Sequence, residues 1–204
     1  MIALDFDGVI VDSNLKKGLA LAGSLPNISK EQIDIVVEHH LDNPHLSASK
    51  RIEYHLDKFS LGRLQHANAD KILGDFRANY LNLEVAPFEG AIDSLADLSA
   101  SEVLIICSSA PEEEVIALLT RFGALSFFKE IAGNVENKAQ FLRGAARGPR
   151  SKRFSEPLRF FVGDSLSDME AAVHASIPFI GFNTSENLSC RSVSKWSKLM
   201  DELS

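Results

Sequence analysis

The chain has 204 residues, 45% hydrophobic and 24% charged, with a formal net charge of −7 at pH 7. This length and composition fit one globular domain with room for an insertion, and the acidic balance argues against a nucleic-acid-binding protein. Two cysteines give no disulfide framework. No apolar run approaches the roughly 18 residues of a membrane helix, and no basic segment precedes the apolar N-terminus. We therefore expect a cytoplasmic protein without a signal peptide or a membrane partner.

The first predicted element is a buried strand over residues 1–4, and it ends at two carboxylates, Asp5 and Asp7, followed by Gly8. Carboxylates at positions i and i+2 leave a strand on the same side, and a glycine lets the backbone turn tightly beside a ligand. Two neighbouring carboxylates repel each other and lose hydration when they are partly buried. A hard cation such as Mg²⁺ would offset that cost. The alternative is an acidic turn without chemistry.

Residues 14–83 have a helical pattern throughout, and four helices are predicted there. Ser29 and Gln32 form a capping-box sequence at the start of the second helix, and Ser47 can cap the third. Five of the six histidines lie in this stretch. Their spacing does not indicate a zinc site, and we expect them on solvated helix faces: His39, His40, His45, His55 and His66.

After Pro87 the pattern changes to strands alternating with helices. Further strands are predicted at residues 103–107, 127–132, 159–162 and 178–182. Helices are predicted at residues 90–98, 112–122, 138–146 and 169–174, with a weak one at 193–200 in a polar tail. This alternation predicts an α/β fold with a mostly parallel sheet.

Reactive side chains follow three of the predicted strands: Asp5 with Asp7, then Ser108, then Asp164 with Asp168. Ligands of open parallel sheets bind beyond the carboxyl ends of the strands. Asp164 and Asp168 are four residues apart where a strand enters a helix, so both can point to one region. Together with Asp5 they form a three-carboxylate neighbourhood suited to one Mg²⁺.

Such a site suits phosphoryl transfer. A carboxylate can attack phosphorus to give an aspartyl-phosphate, and a second acid can protonate the leaving oxygen and later deprotonate water. Two acids spaced two residues apart can divide those roles. Ser108 offers a hydroxyl for phosphoryl oxygens, and Lys138 offers a positive charge for the developing negative charge.

These motifs, in this order, resemble those of the haloacid dehalogenase superfamily. The first is Asp5-Phe6-Asp7-Gly8-Val9, the second Ser108, the third Lys138, and the fourth begins at Gly163-Asp164 and ends at Asp168. The agreement covers about residues 1–182. The chain is most similar to phosphatase-like members with a helical cap of the C1 type, the group of the phosphoglycolate phosphatases and β-phosphoglucomutases.

The resemblance implies a Rossmann-like parallel sheet core flanked by helices, formed by residues 1–13 and 84–204. An all-helical cap, residues 14–83, would close over the site and exclude water. In capped relatives the loop between the second and third helices faces the active site. We therefore expect substrate contacts from the residues in and after that loop: His45, Ser47, Lys50 and Arg51.

The resemblance also implies a role for each residue of the motifs. Asp5 would be the nucleophile and Asp7 the general acid and base, with the Asp7 backbone carbonyl also on the metal. Asp164 would be a direct Mg²⁺ ligand and Asp168 a supporting one. The phosphate would be bound by four residues: Gly8, Ser108, Ser109 and Lys138.

One departure from the family pattern and one residue that fits it narrow the function. Ser109-Ala110 stands where many members have Asn-Lys, which weakens a phosphomutase assignment, and Asp7 argues against dehalogenation and phosphonate hydrolysis. We predict a Mg²⁺-dependent hydrolase of a small phosphorylated metabolite. A phosphomutase is the alternative. A non-enzymatic phospho-switch is a remote one, because Ser108 occupies its acceptor position. The basic residues 147–153 are expected in a solvated loop, and the sequence indicates neither the metabolite nor an oligomeric state.

Overall fold

The structure is a computed structural model that describes residues 1–43, 46–61, 65–148, 154, 156–184 and 188–203. The chain divides into two compact units. One consists of Met1–Asp12 with Pro87–Ser204, and the other of Ser13–Ala86. We call the first the sheet unit and the second the helical unit. Within the described part of the chain, no helix combines the length and the hydropathy needed to span a membrane.

The sheet unit contains six strands among its described residues, and all neighbouring pairs are parallel. The strands are β1 (Ile2–Leu4), β2 (Leu104–Cys107), β3 (Phe128–Ala132), β4 (Phe160–Gly163), β5 (Phe179–Phe182) and β6 (Ser192–Val193). Their order across the sheet is β3-β2-β1-β4-β5-β6. This arrangement confirms the predicted α/β class with a Rossmann-like parallel sheet.

The described helices fall into two groups. The helical unit holds α1 (Asn14–Ser24), α2 (Lys30–Asp42), α3 (Ala48–Lys58) and α4 (Gln65–Asn82). The sheet unit holds α5 (Ala91–Ser99), α6 (Glu112–Arg121), α7 (Lys138–Ala146), α8 (Leu166–Ala175) and α9 (Trp196–Leu203), with a 3₁₀ turn at Leu125–Phe127.

β1 is a central strand of the sheet and pairs with β2 on one side and with β4 on the other. Ile2, Ala3 and Leu4 have no exposed surface, as expected for a parallel strand covered on both faces. One face of the sheet packs on α7 and α8 through a cluster of buried residues: Met1, Ala3, Ile105, Cys107, Leu142, Ala145, Phe161, Ala171, Ala172 and Ala175. This core fixes the carboxyl ends of the strands relative to the starts of α7 and α8.

The direction of the chain across the sheet reverses between β1 and β4. β2 and β3 follow on one side of β1, whereas β4, β5 and β6 follow on the other. A topological switch point of this kind opens a crevice at the carboxyl ends of the strands. Leu4 is in register with Val162, so Asp5 and Asp164, which follow these strands, leave the sheet on either side of the crevice.

The helical unit confirms two predicted helix starts. The Ser29 side chain accepts a hydrogen bond from the backbone N–H of Gln32 while the Gln32 side chain accepts one from the backbone of Ser29. At the start of α3, the Ser47 side chain accepts from the backbone N–H of Lys50. Both caps satisfy N–H groups that have no partner inside the helix.

The prediction of solvated histidines was wrong for two of the five. His40 is buried, and His55 has no exposed surface. His55 lies on the face of α3 that carries Ile52 and Leu56, which are also buried, so the helical spacing places it in the interior of the unit. Its ring contacts those of His39, Tyr54 and Phe59. His45 and the side chain of His66 lie outside the described residues.

The predicted end of the sheet was also incomplete. The strand at residues 178–182 is followed by β6, which pairs parallel with β5, and the tail then forms α9 with Trp196, Leu199 and Leu203 buried. A strand of two residues has too few positions to show a periodicity. α8 begins at Leu166, three residues before the predicted start.

Candidate active site

Asp5 is the first residue after the central strand, and its side chain is buried. Its backbone N–H donates to the Val162 carbonyl on β4 at 2.9 Å, and its Oδ1 accepts from the Phe6 N–H at 2.8 Å. Burial raises the pKa of Asp5 to about 6, although the nearby Lys138 ammonium opposes the shift. The backbone therefore orients this carboxylate, and its second oxygen faces the site.

Lys138 places its ammonium between two carboxylates. Nζ donates to Asp5 Oδ2 at 2.7 Å and to Asp168 Oδ1 at 2.6 Å, and its side chain is 13% exposed. Burial alone would lower the pKa of Lys138, but Asp168 and Asp5 outweigh it and raise that pKa above its usual range. Lys138 is the first residue of α7, after Asn137, whose side chain caps the helix at the Gln140 N–H. Lys138 is thus a charged residue of the site and not a lysine on the solvated surface.

Asp168 is held by the start of its own helix. It is the third residue of α8, and the Ser165 hydroxyl donates to its Oδ2 at 2.6 Å, while the Ser165 backbone N–H donates to the same oxygen at 3.3 Å. A side chain at Gly163 would overlap Asp168. These contacts fix Oδ2, so that Oδ1 is the oxygen that meets Lys138.

Asp164 completes the acidic cluster. Asp5, Asp164 and Asp168 can each offer one carboxylate oxygen such that these atoms lie within 4.8 Å of one another. Burial, followed by the charges of Asp5 and Asp168, raises the pKa of Asp164 well above its usual value. The side chain lies directly against Gly8, where a Cβ would overlap the carboxylate. Gly8 also has a φ of +74°, a conformation that glycine adopts without strain.

The composition of the cluster fits a hard divalent cation. In their ionised forms, three carboxylates face one ammonium, which leaves two negative charges uncompensated. All of the nearby acidic ligand atoms are oxygens, the donors that Mg²⁺ prefers. Burial first, and the neighbouring carboxylates after it, raise the pKa values of Asp5 and Asp164. A cation held here would lower both pKa values and keep the carboxylates ionised.

The other predicted residues of the motifs lie at the same end of the sheet. Asp7 is half-buried in the turn after Asp5. Ser108 follows β2, the neighbour of β1, and is buried; its hydroxyl accepts from the Ala110 N–H at 3.2 Å. The backbone N–H of Ser108 donates to the Ala132 carbonyl, so the hydroxyl is the group of Ser108 that can face a ligand. Ser109 is exposed.

The predicted substrate residues of the helical unit have different surroundings. Ser47 caps α3, and Lys50 is exposed in its first turn. Arg51 is buried, and its Nη2 donates to the Asn43 carbonyl at 2.7 Å. Ser47 and Arg51 thus stabilise the start of α3 within the unit. His45 lies outside the described residues, and substrate binding by these four residues stays a prediction.

Two residues that orient the site had no role in the sequence prediction. Ser165 fixes Asp168, and Asn137 caps the helix that begins with Lys138. The spacing Ser165-x-x-Asp168 at the entry to a helix is a capping-box pattern, so a local signal existed for Ser165. Asn137 likewise precedes a helix start, where asparagine is favoured.

The chain is similar to known proteins in sequence and in fold. The family model of the haloacid dehalogenase-like hydrolases matches residues 2–182, whereas no curated protein matches the chain. Among solved structures that share the fold, a protein predicted to be a phosphoglycolate phosphatase from Haemophilus somnus is 19% identical, with 100% of this chain and 97% of that chain covered and a TM-score of 0.74. The haloacid dehalogenase-family hydrolase YfnB from Bacillus subtilis, bound to magnesium, is 17% identical, with 99% of this chain and 97% of that chain covered and a TM-score of 0.72. A protein assigned as a β-phosphoglucomutase from Thermotoga maritima is 18% identical, with 99% of this chain and 97% of that chain covered and a TM-score of 0.67.

Proposed function

Because the chain belongs to the haloacid dehalogenase-like hydrolase family, we propose that it is a Mg²⁺-dependent hydrolase of a small phosphomonoester and works through an aspartyl-phosphate. One observation carries this proposal: Lys138 holds Asp5 and Asp168 at 2.7 and 2.6 Å, with Asp164 beside them. An oriented carboxylate, a fixed positive charge and a place for a cation are the parts that phosphoryl transfer to a carboxylate requires.

Asp5, Asp164 and Asp168 would hold the Mg²⁺, together with the backbone carbonyl of Asp7. When bound, the ion neutralises the phosphoryl oxygens and orients the phosphorus toward the nucleophile. The carboxylates must be ionised to bind it, so the ion and protons compete for Asp5 and Asp164.

Asp5 acts as the nucleophile in the first step. Its oxygen bonds to phosphorus as the bond from phosphorus to the leaving oxygen breaks, and Asp7 donates its proton to that oxygen. In the second step, Asp7 takes a proton from water, and the water oxygen bonds to phosphorus. Inorganic phosphate leaves and the Asp5 carboxylate is restored. Lys138 and the Ser108 hydroxyl stabilise the negative charge on the phosphoryl oxygens in both steps.

The helical unit is proposed to be the cap, which excludes water and contributes the contacts that select the substrate. Its insertion into the chain between β1 and β2 supports this. Ser47 and Lys50 are both exposed, but Ser47 caps α3, so Lys50 is the first residue to test there; Ser47 and Arg51 would act by holding α3. Among the structural relatives, YfnB was reported with interdomain movement.

A phosphomutase is the second candidate, since one structural relative is assigned to that class. A mutase would use the same Asp5 and Asp7 but return the phosphoryl group to a hydroxyl of the product. Ser109-Ala110 after β2 favours the hydrolase, because the lysine common at this point in the group is missing. Stoichiometric release of inorganic phosphate separates the two, since a mutase releases little.

The test is a phosphate-release screen over a panel of phosphorylated metabolites with Mg²⁺, repeated after chelation. We expect release from at least one small phosphomonoester, its loss with chelator, and its recovery when Mg²⁺ is restored. Asp5→Asn should abolish release, whereas Asp93→Asn, which alters an exposed acid on α5, should leave it unchanged. A protein that releases no phosphate from any member of the panel contradicts the proposed function.

A further inference from the structure

The turn that carries Asp7 and Gly8 is closed by its own backbone. The N–H groups of Ile10 and Val11 donate to the Phe6 carbonyl at 2.9 and 3.2 Å, and the Gly8 N–H donates to the Val11 carbonyl at 2.9 Å. Val9, Ile10 and Val11 have no exposed surface. The Val11 carbonyl thus has a partner inside the turn, whereas the buried carbonyls of Val9 and Ile10 need partners from elsewhere in the protein.

Two of these carbonyls are held from distant parts of the sheet unit. The indole Nε1–H of Trp196 donates to the Val9 carbonyl at 3.1 Å, and the backbone N–H of Phe88 donates to the Ile10 carbonyl at 2.9 Å. Trp196 is 1% exposed. Its ring and that of Phe88 both pack on Phe182, with centroids 5.8 and 5.3 Å away. The indole is thus fixed in the core and acts as a rigid donor to the turn.

A displacement of the turn would also displace groups of the candidate active site. Val9 is two residues after Asp7 and adjacent to Gly8, and Gly8 lies against the Asp164 carboxylate with no room for a Cβ. A shift of the Val9 carbonyl therefore moves the Asp7 side chain and the backbone that Asp164 packs against. Interactions that fix reacting groups at this precision affect the rate of a reaction strongly.

We infer that Trp196 is a positioning residue: its indole N–H holds the turn that places Asp7 and Gly8 beside Asp164. The inference rests on the proposed function for its catalytic consequence, while the contact itself belongs to the fold. Trp196 lies in α9, beyond residues 2–182 that match the family model, so this device belongs to the C-terminal segment of the chain.

The experiment removes only the N–H donor. Trp196 is the one tryptophan in the sequence, so growth of a tryptophan auxotroph on 3-benzothienylalanine, in which sulfur replaces the indole N–H, changes this position alone. Trp196→Phe is the genetic counterpart. Leu203→Ala is the matched control, because it loosens the buried side of the same helix and leaves the indole in place.

The measurements are kcat and KM for the substrate found in the phosphate-release screen, the melting temperature, and deuterium uptake of residues 5–12. We expect the analogue and Trp196→Phe to lower kcat about tenfold with KM within about twofold, and to speed uptake in residues 5–12. Leu203→Ala should lower the melting temperature while kcat stays within about twofold of wild type.

Wild-type kcat and uptake in the analogue protein would overturn the inference. The inference would also be overturned if Leu203→Ala and Trp196→Phe had the same melting temperature and lost kcat equally. If Trp196→Phe does not fold, the analogue decides. If the wild-type protein releases no phosphate, the proposed function fails on its own, and deuterium uptake decides the role of Trp196: faster uptake in the analogue supports it, and unchanged uptake rejects it.

Discussion

Gly8 and Asp164 lie in such close contact that no side chain fits between them, and Gly8 has a φ of +74°. The contact joins the loop after β1 to the end of β4, and the positive φ of Gly8 allows the backbone to come this close to Asp164. The packing of the carboxylate cluster therefore depends on the absence of a single methyl group.

Gly8→Ala should disrupt the site through this contact. We expect turnover to fall at least about 100-fold, because the methyl group must displace the Asp164 carboxylate or the turn itself. Gly123→Ala is the control, since Gly123 has a φ of +70° with nothing within 4 Å of a built Cβ. That control should lose about 1–2 kcal/mol of stability from backbone strain and keep its activity. Equal activity in the two variants would show that the contact with Asp164 is not needed.

Lys138→Met should lower kcat by about 10²–10³-fold, because it removes the positive charge that stabilises the developing negative charge. The loss should appear in kcat more than in KM if the substrate is bound mainly by the helical unit, the proposed cap. Lys129→Met, at an exposed lysine on β3, should change neither. The measurement is steady-state phosphate release with saturating Mg²⁺. A Lys138→Met enzyme with near-normal kcat would restrict Lys138 to a structural ion pair.

The hydroxyl of Ser165 offers a comparison between two helix caps in one chain. Ser165 and Ser29 both form capping boxes, so replacing either with alanine should cost about 1 kcal/mol of stability. Ser165→Ala also removes the 2.6 Å hydrogen bond from the hydroxyl to Asp168 Oδ2 and keeps the 3.3 Å bond from the backbone N–H. We expect it to lower kcat several-fold, whereas Ser29→Ala should not. Denaturant midpoints and kcat for both variants test this. If kcat does not change in Ser165→Ala, the cap does not orient Asp168 for catalysis.

The helical unit should lose stability in mild acid because of His55. Burial, then the charges of His39, Lys58 and Arg51, lower the pKa of His55 from 6.5 to about 4. The unfolded state therefore binds more protons between these values, and stability falls as the pH drops from about 6.5 toward 4, on the order of 1 kcal/mol per pH unit. Neither ring nitrogen of His55 has a hydrogen-bond partner within the described residues, in keeping with the neutral form.

Urea midpoints at several pH values between 4 and 7 measure this effect, with His55→Leu as the reference for all other titrating groups. As the pH falls over this range, the free energy of unfolding of the wild type should decrease relative to that of His55→Leu. A difference that is independent of pH would mean that His55 has the same pKa in the folded and unfolded states.

The central fold could be predicted because its signals are local. Strands buried on both faces are continuous apolar runs, as in β2, and the parallel topology sends the ends of β1, β2 and β4 to one edge of the sheet. For that reason the sequence could indicate that Asp5, Asp164 and Asp168 lie together, as they do in the structure. The catalytic roles assigned to them stay predictions.

The features that the sequence did not predict depend on tertiary contacts that no local sequence pattern encodes. β6 has two residues, and its position is fixed by β5. Trp196 and the Val9 carbonyl are 187 residues apart along the chain, so composition and periodicity give no sign of their contact. His55 is a polar residue at an interior position of α3, and residue type outweighed helical spacing in the expectation that it would be solvated. In each case tertiary packing determined the outcome.

The most direct test of the central claim is to trap the phosphoryl group on Asp5. Asp7→Asn removes the base that the second step needs. Mixing this variant with Mg²⁺ and an aryl phosphate, whose leaving group departs without a proton from residue 7, then quenching in acid and analysing the peptides by mass spectrometry, reports the intermediate. We expect a phosphoryl group on Asp5 and on no other residue, and none when Asp5→Asn is combined with Asp7→Asn. Phosphorylation at a different residue, or near-normal phosphate release by Asp5→Asn alone, would contradict the assignment of Asp5 as the nucleophile.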